Sequence, residues 1–209
     1  GRGLLVGMPE SGKSTPGVIY TILHAGGKFS DSGYKIAGGL HGVGASVVNA
    51  LSKWMEVTIK RDGGEYLIRF ENGGSKVIPL KKIGTSNKTG TMVRFMSDDT
   101  IFSSTTFSFT TICERMQESA FLLKSLTAEV IDLKDNKQAS FHYENGLKAF
   151  IEFINEDKNK IHKVVQFTGE KEGIQVDVAF QYTDGYSENI ISFVNNVKTI
   201  DGGTHEIGF

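Results

Sequence analysis

The sequence predicts an α+β protein, and three observations lead to that prediction. A glycine-rich stretch at residues 38–44 is followed by an amphipathic helical pattern. Later segments alternate apolar and polar residues with a period of two, which is typical of antiparallel strands that bury one face. The helical segments do not alternate regularly with these strands, so a parallel nucleotide-binding sheet is not indicated.

The glycine-rich stretch reads GGLHGVG and leads into a predicted helix whose core-facing side carries Val43, Val47 and Leu51, with Val48 alongside. Glycines let a backbone approach a ligand closely, and the first N–H groups of a helix are free to donate. Such a loop suits a phosphate. A plain turn before a core helix gives the same pattern, so both interpretations stay open on the glycines alone.

The elements around this stretch follow from local patterns. A short helix is predicted from Pro16 to His24. The polar segment 28–34 is interpreted either as a lid over a ligand or as a surface loop. Four strands are predicted at 55–59, 66–70, 77–83 and 91–95, the first two joined by a turn at Asp62–Gly64.

The second half of the chain begins with a predicted helix at 112–123 and strands at 128–133 and 140–143. Asn145 and Gly146 indicate a boundary between two domains, 1–145 and 146–209. The second domain is predicted to contain a helix at 147–154, a charged connector at 156–163 and a strand at 174–182. A turn at Asp184 and Gly185 then leads to a return strand at 190–197.

Composition excludes several classes of protein. With 23 basic and 24 acidic residues among 209, the net charge of -1 argues against a polybasic surface that binds nucleic acid. The single cysteine, Cys113, cannot form an internal disulfide, and no apolar run approaches the ~20 residues of a membrane span. We therefore predict a soluble cytoplasmic protein without membrane contacts. The GRG start and the end soon after Asp201–Gly203 predict a fragment of a longer chain.

A second glycine motif competes with the first. Gly7–Ser14 reads GMPESGKS and matches the P-loop pattern, in which Lys13 and Ser14 would serve a nucleotide phosphate and its metal. Pro16 and Gly17 fall where the helix of a P-loop gains its first turns, and Gly is a poor helix former there. A P-loop NTPase is thus one alternative reading, and an interaction module that binds no nucleotide is another.

The chain resembles the ATPase subunits of the bacterial type IIA topoisomerases, the family of DNA gyrase B and of the B-type chain of topoisomerase IV. The resemblance spans nearly the whole chain in order. It is carried by GRG at 1–3, TILHAGGKF at 21–29, GYKIAGGLHGVGASVVNALS at 33–52, TGTMVRF at 89–95, FHYENGLKAF at 141–150 and DGYSENIISFVNNVKTIDGGTHEIGF at 184–209.

The resemblance implies a Bergerat (GHKL) ATP-binding sandwich, truncated at its N-terminus, followed by the start of an α+β transducer domain with a ribosomal-protein-like fold. It implies that the loop wraps the triphosphate, that Lys28 lies near the phosphates, that Tyr34 belongs to a lid, and that Arg61 lies at the pocket mouth. The remaining implied cofactor-binding positions are Arg2, Gly3, Leu4 and Thr91 at the adenine, and Gly39, Leu40, His41, Gly42, Val43, Gly44 and Ala45 at the phosphates.

The same resemblance implies ATP and Mg²⁺ as cofactors. It implies three partners: DNA, a second copy of the chain in an ATP-dependent homodimer, and the DNA-cleaving A-type subunit of a heterotetramer. It places the general-base glutamate and the Mg²⁺-holding asparagine upstream of Gly1, so no catalytic or metal residue is expected here. It also makes Gly7–Ser14 a chance match in a variable connection. Leu5 and Gly17 depart from the family pattern, which has proline and glutamate there; the first departure affects the wall under the adenine and the second the helix after Pro16.

Overall fold

The computed structural model describes residues 1–7, 12–25 and 42–209. Two compact units, Gly1–Thr106 and Phe107–Phe209, make up the chain and are treated separately. The predicted domain boundary at 145/146 stays a prediction. None of the helices in the described ranges has the length and apolar composition to cross a bilayer.

The first unit is a four-stranded antiparallel sheet with two short helices. Its helices are α1 (Thr15–Thr21) and α2 (Gly44–Ala50), and its strands are β1 (Ser52–Arg61), β2 (Gly64–Glu71), β3 (Lys76–Thr85) and β4 (Gly90–Ser97). The strand order is β3-β2-β1-β4, and each neighbouring pair is antiparallel. The four strands confirm the strands predicted from the period-two pattern.

The turn between β1 and β2 confirms the predicted hairpin. Asp62 and Gly63 have φ angles of 50° and 73°, the left-handed values that a two-residue type I′ turn requires at both central positions. Strand β3 lies at the edge of the sheet and is mostly exposed, and Pro79 is tolerated there because an edge strand leaves donors unpaired.

The core of this unit lies on one face of the sheet. Met55, Val57 and Ile59 of β1 are at most 1% exposed and pack beside Ile68 and Phe70 of β2. Tyr20 of α1 covers them, with its ring centroid 5.7 Å from that of Phe70. The alternation of β1 thus has the physical cause predicted for it, because every second side chain faces the helices.

Helix α1 forms in spite of Gly17. The Ser14 Oγ accepts a hydrogen bond from the Gly17 N–H at 3.3 Å, and Pro16 occupies the first turn, where its missing N–H costs nothing. Gly17 is buried, and a Cβ at this position would lie 3.8 Å from Ile68 Cδ1. The departure at Gly17 therefore does not abolish the predicted helix.

The buried face of α2 differs from the prediction. Val47 and Val48 are 41% and 40% exposed, whereas Ser46 and Asn49 are 6% and 1% exposed. The expectation that the valines form the core side of this helix is wrong, because α2 packs its polar residues inward and hydrogen-bonds them to backbone carbonyls.

The second unit combines three helices with three two-stranded hairpins. The helices are α3 (Phe109–Leu122), α4 (Leu147–Ile154) and α5 (Thr204–Gly208). The hairpins are β5 (Ala128–Asp132) with β6 (Lys137–Phe141), β7 (Val165–Lys171) with β8 (Ile174–Phe180), and β9 (Phe193–Val194) with β10 (Val197–Lys198). Phe121 of α3 is 2% exposed and stacks on Tyr143 at 3.8 Å and on Phe150 of α4 at 5.0 Å.

The predicted return strand at 190–197 is wrong. Strand β8 pairs with β7, which precedes it, through the two-residue turn Glu172–Gly173. Residues 193–194 and 197–198 instead pair with each other. The sequence pattern does not predict strand β7, and the strand predicted at 174–182 ends at Phe180.

Candidate nucleotide site

The segment Gly3–Leu4 lies at the end of β1 and the start of β4, and Gly3 fixes it there. This glycine has φ +76°, and a Cβ on it would lie 2.5 Å from the Lys60 carbonyl oxygen and 3.2 Å from that of Gly90. The Arg61 Nη1 donates a hydrogen bond to the Gly3 carbonyl oxygen at 2.9 Å. Only a glycine fits this contact without a shift of the surrounding backbone.

A second hydrogen bond joins the same segment to β4. The Leu4 N–H donates to Thr91 Oγ1 at 3.0 Å, across 87 positions of sequence. Thr91 lies opposite Ile59 of the core in the β1–β4 register. The structure therefore brings the predicted adenine positions Gly3, Leu4 and Thr91 together. Arg61, which the resemblance places at the pocket mouth, lies beside them.

Leu4 also contacts the core cluster, against which Ala45 of α2 packs as well. Ala45 is predicted to belong to the phosphate side of the site. Residues predicted for the two ends of a nucleotide thus lie against one core, on the face of the sheet that carries α1 and α2.

The described end of the glycine-rich loop enters α2 directly. Gly42 has φ +59°, and Val43, in the helical region, precedes the helix without a side-chain hydrogen bond to its free N–H groups. A Cβ on Gly44 would meet nothing within 4 Å. Lys28, Tyr34, Gly39, Leu40 and His41 lie outside the described residues, so their predicted roles stay predictions.

Asn49 belongs to this region, although the sequence pattern does not single it out. Its Nδ2 donates a hydrogen bond to the Tyr20 carbonyl oxygen at 2.9 Å and so joins α2 to α1. The sequence places Ser46 and Asn49 three residues apart and hence on the same side of a helix, but this spacing alone does not show that the side is buried.

The competing motif at Gly7–Ser14 does not have the arrangement of a P-loop in its described part. The Gly7 carbonyl oxygen accepts hydrogen bonds from the Thr15 N–H at 2.9 Å and the Thr15 hydroxyl at 3.0 Å, and the Ser14 hydroxyl oxygen caps α1. A P-loop follows a strand of a parallel sheet. Residues 1–7 form no strand, and all pairs of the four-stranded sheet are antiparallel.

The face of the sheet opposite the core carries a charge network. Arg69 donates to Glu56 at 2.7 Å and to Glu71 at 3.1 Å, and its guanidinium lies 5.0 Å from the centre of the Trp54 ring. Lys76, 2.7 Å away, and then Arg69 lower the pKa of the Glu71 carboxyl below its ordinary value. Glu56 and then Glu71 raise the pKa of Arg69.

The chain is similar to known proteins over its whole length. The family model for DNA gyrase B matches residues 146–209. The B-type chain of DNA topoisomerase 4 from Bacillus subtilis (strain 168) is 60% identical over 208 residues, which cover all of this chain and 32% of that protein. The chain of the same name from Streptococcus pneumoniae serotype 4 (strain ATCC BAA-334 / TIGR4) is 60% identical over 210 residues, again covering all of this chain and 32% of the relative. The chain thus spans about a third of the length of these relatives.

A solved structure shows the same fold. The 43K ATPase domain of Thermus thermophilus gyrase B, in complex with an aminocoumarin, superposes with a TM-score of 0.82 at 35% identity, covering 98% of this chain and 52% of that one. The fold is therefore of the Bergerat (GHKL) class. The chain belongs to the family of ATPase subunits of the bacterial type IIA topoisomerases, as its sequence predicted.

Proposed function

We propose that this chain is the ATP-binding and dimerisation-gate portion of a type IIA topoisomerase, an enzyme that passes one DNA duplex through another using ATP. The observation that supports the proposal most directly is the hydrogen bond from the Leu4 N–H to Thr91 Oγ1. It joins two segments that the family resemblance assigns to the adenine, although they are far apart in sequence.

In this proposal the adenine lies against the first segment of the chain and the start of β4, and the triphosphate lies along the loop before α2. The chain's own residues bind and orient the nucleotide. Thr91 holds the Leu4 backbone in place, Arg61 holds the Gly3 carbonyl, and Lys28 adds positive charge near the phosphates. Tyr34 closes over the base, and Arg2 completes the adenine side. The phosphate side consists of backbone N–H groups of Gly39, Leu40, His41, Gly42, Val43, Gly44 and Ala45.

ATP supplies the binding energy that orders the gate, and the proposal assigns no step of hydrolysis to this chain. Hydrolysis needs a positioned base and a metal on the phosphates. Within the described ranges, no group of three or more His, Cys, Asp or Glu side chains could hold a metal ion. The family resemblance, and not this observation, assigns the general base and the Mg²⁺ ligands to other parts of the longer protein.

The wider assembly is proposed from the family. Its partners are DNA, a second copy of the chain that dimerises when ATP binds, and the A-type subunit that cleaves DNA, all in the cytoplasm. The domain boundary at 145/146 is part of the proposal, and the start of the gyrase B family match at residue 146 supports it. The net charge of -1 is consistent with DNA contacts that are local or that lie elsewhere in the assembly.

The experiment is a titration of the protein with ATP by calorimetry, with Thr91→Val as the variant. Valine keeps the shape of threonine but leaves the Leu4 N–H without its acceptor, so ATP should bind about fivefold to tenfold more weakly. Thr58→Val is the matched control, because Thr58 lies on β1 but on the opposite face of the sheet from the core residues Val57 and Ile59. Absence of ATP binding by the unmodified protein, or equal affinities of the two variants, would contradict the proposal.

A further inference from the structure

Helix α2 is attached to α1 by one buried side chain. Asn49 is 1% exposed, and its Nδ2 donates to the carbonyl oxygen of Tyr20, 29 positions earlier. Tyr20 lies next to the last residue of α1, and α2 begins at Gly44. The hydrogen bond therefore joins α1 to α2, whose first two residues, Gly44 and Ala45, are among the proposed phosphate contacts.

The turn between β2 and β3 closes on the same amide group. A Cβ on Gly74 would lie 2.5 Å from Asn49 Nδ2, and a Cβ on Gly73 would lie 2.8 Å from the Ala50 carbonyl oxygen. The Gly73 N–H in turn donates to the Ser52 carbonyl oxygen at 3.1 Å. The end of α2 thus contacts α1 on one side and a turn of the sheet on the other, with the Asn49 amide between them.

An asparagine at position 49 lowers the stability of the fold if its only role is to pack. Its Oδ1 is buried and accepts no hydrogen bond within the described part of the chain. A buried acceptor without a donor destabilises a fold, and an apolar side chain of similar shape avoids that cost. The Nδ2 bond to α1 is what leucine, with nearly the same shape, cannot provide.

We propose that Asn49 is a positioning residue for nucleotide binding, which fixes α2 and the loop Gly42–Gly44 relative to α1 and the sheet. This inference rests on the proposed function. The hydrogen bonds that hold Gly3 and Leu4, the residues proposed at the adenine, run to Arg61 of β1 and Thr91 of β4 and do not involve α2. Loss of the Asn49 bond therefore affects the triphosphate end of the site and leaves the adenine end in place.

The test compares two ligands, ATP and adenosine, in the protein carrying Asn49→Leu. ATP should bind about tenfold more weakly, as expected for loss of one buried hydrogen bond that orders the loop. Adenosine, which lacks the phosphates, should bind within about twofold of the unmodified protein. A role limited to stability predicts the same loss for both ligands.

Ser52→Ala is the matched control. Ser52 is also buried, at 2% exposed, and its hydroxyl donates at 2.6 Å to the Val48 carbonyl oxygen of the same chain segment, without reaching α1. The control should lower the melting temperature and leave both affinities unchanged. Asn49→Ala is the second variant if the leucine variant does not fold, and failure of both to fold makes Asn49 a structural residue and overturns the inference.

The outcomes separate the two proposals. An unmodified protein that binds no ATP contradicts the proposed function, and the inference falls with it. An unmodified protein that binds ATP, beside an Asn49→Leu variant with unchanged or uniformly weakened binding of both ligands, overturns the inference alone.

Discussion

Replacing Gly3 by alanine tests how the first segment packs on the sheet. At φ +76° an alanine carries the steric cost of the left-handed region, roughly 1–2 kcal/mol. Its Cβ would also lie 2.5 Å from the Lys60 carbonyl oxygen, a contact with backbone that cannot rotate away. Forcing extra atoms into a packed region costs about 1–3 kcal/mol more. We therefore expect Gly3→Ala to lower the free energy of unfolding by about 2–5 kcal/mol, a large share of the ~5–15 kcal/mol of a typical domain.

Gly63→Ala is the matched control for this variant. Gly63 has nearly the same φ, +73°, but a Cβ there would meet nothing within 4 Å, so only the backbone cost applies. Urea unfolding followed by the fluorescence of Trp54, the single tryptophan, measures both variants in the first unit. If Gly3→Ala is no more destabilising than Gly63→Ala, the segment does not pack against Lys60 and Gly90, and the geometry of the adenine side is wrong.

Two further predictions concern the competing motif and the charge network. Lys13→Ala should leave ATP affinity in calorimetry unchanged, because Gly7 and Ser14 are used to cap α1; a P-loop NTPase would lose nucleotide binding. Glu71 has a folded pKa lowered from its ordinary 4.5, chiefly by Lys76, so its contribution to stability is complete above that value and is lost as pH falls through the lowered pKa. Glu71→Gln should therefore flatten the fall in the free energy of unfolding as the pH is lowered below 4.5, measured by urea titrations at a series of pH values. Lys76→Ala should reproduce part of that change, and equal slopes in all three proteins would contradict the assignment.

The elements that the sequence predicted well are those whose determinants are local. Helix α4 is predicted at 147–154 and is observed over the same residues, since its apolar residues recur at helical spacing. The β1–β2 hairpin follows from the alternation of its strands and from Asp62–Gly63, which accept the left-handed angles of a tight turn. In these cases, pattern and turn chemistry act within a few residues.

The wrong predictions concern elements whose packing or pairing partners do not follow from their own sequence pattern. The buried face of α2 is polar because the Tyr20 carbonyl oxygen and the Gly73–Gly74 turn lie against Asn49, and the sequence of α2 does not identify these distant partners. Strand β8 pairs with β7 and not with 190–197, because a two-residue turn brings the preceding segment alongside it. Glu172 and Gly173 form that turn with φ of 53° and 79°. Gly173 is the feature of the sequence that indicates a turn there.

The family resemblance relates residues of the candidate site that the composition and spacing of the chain do not relate. Nothing in the composition or spacing of the chain relates Leu4 to Thr91, and only the antiparallel pairing of β1 with β4 brings the threonine beside the first segment. The proposed phosphate side has different contacts, because Asn49 joins α2 to α1 and the β2–β3 turn packs against the end of α2. Since the two sides share the core but no hydrogen bond among those described, the proposed function predicts that a change at Thr91 and a change at Asn49 affect different parts of one ligand. Measured affinities for ATP and adenosine can therefore assign each residue to its own end of the nucleotide.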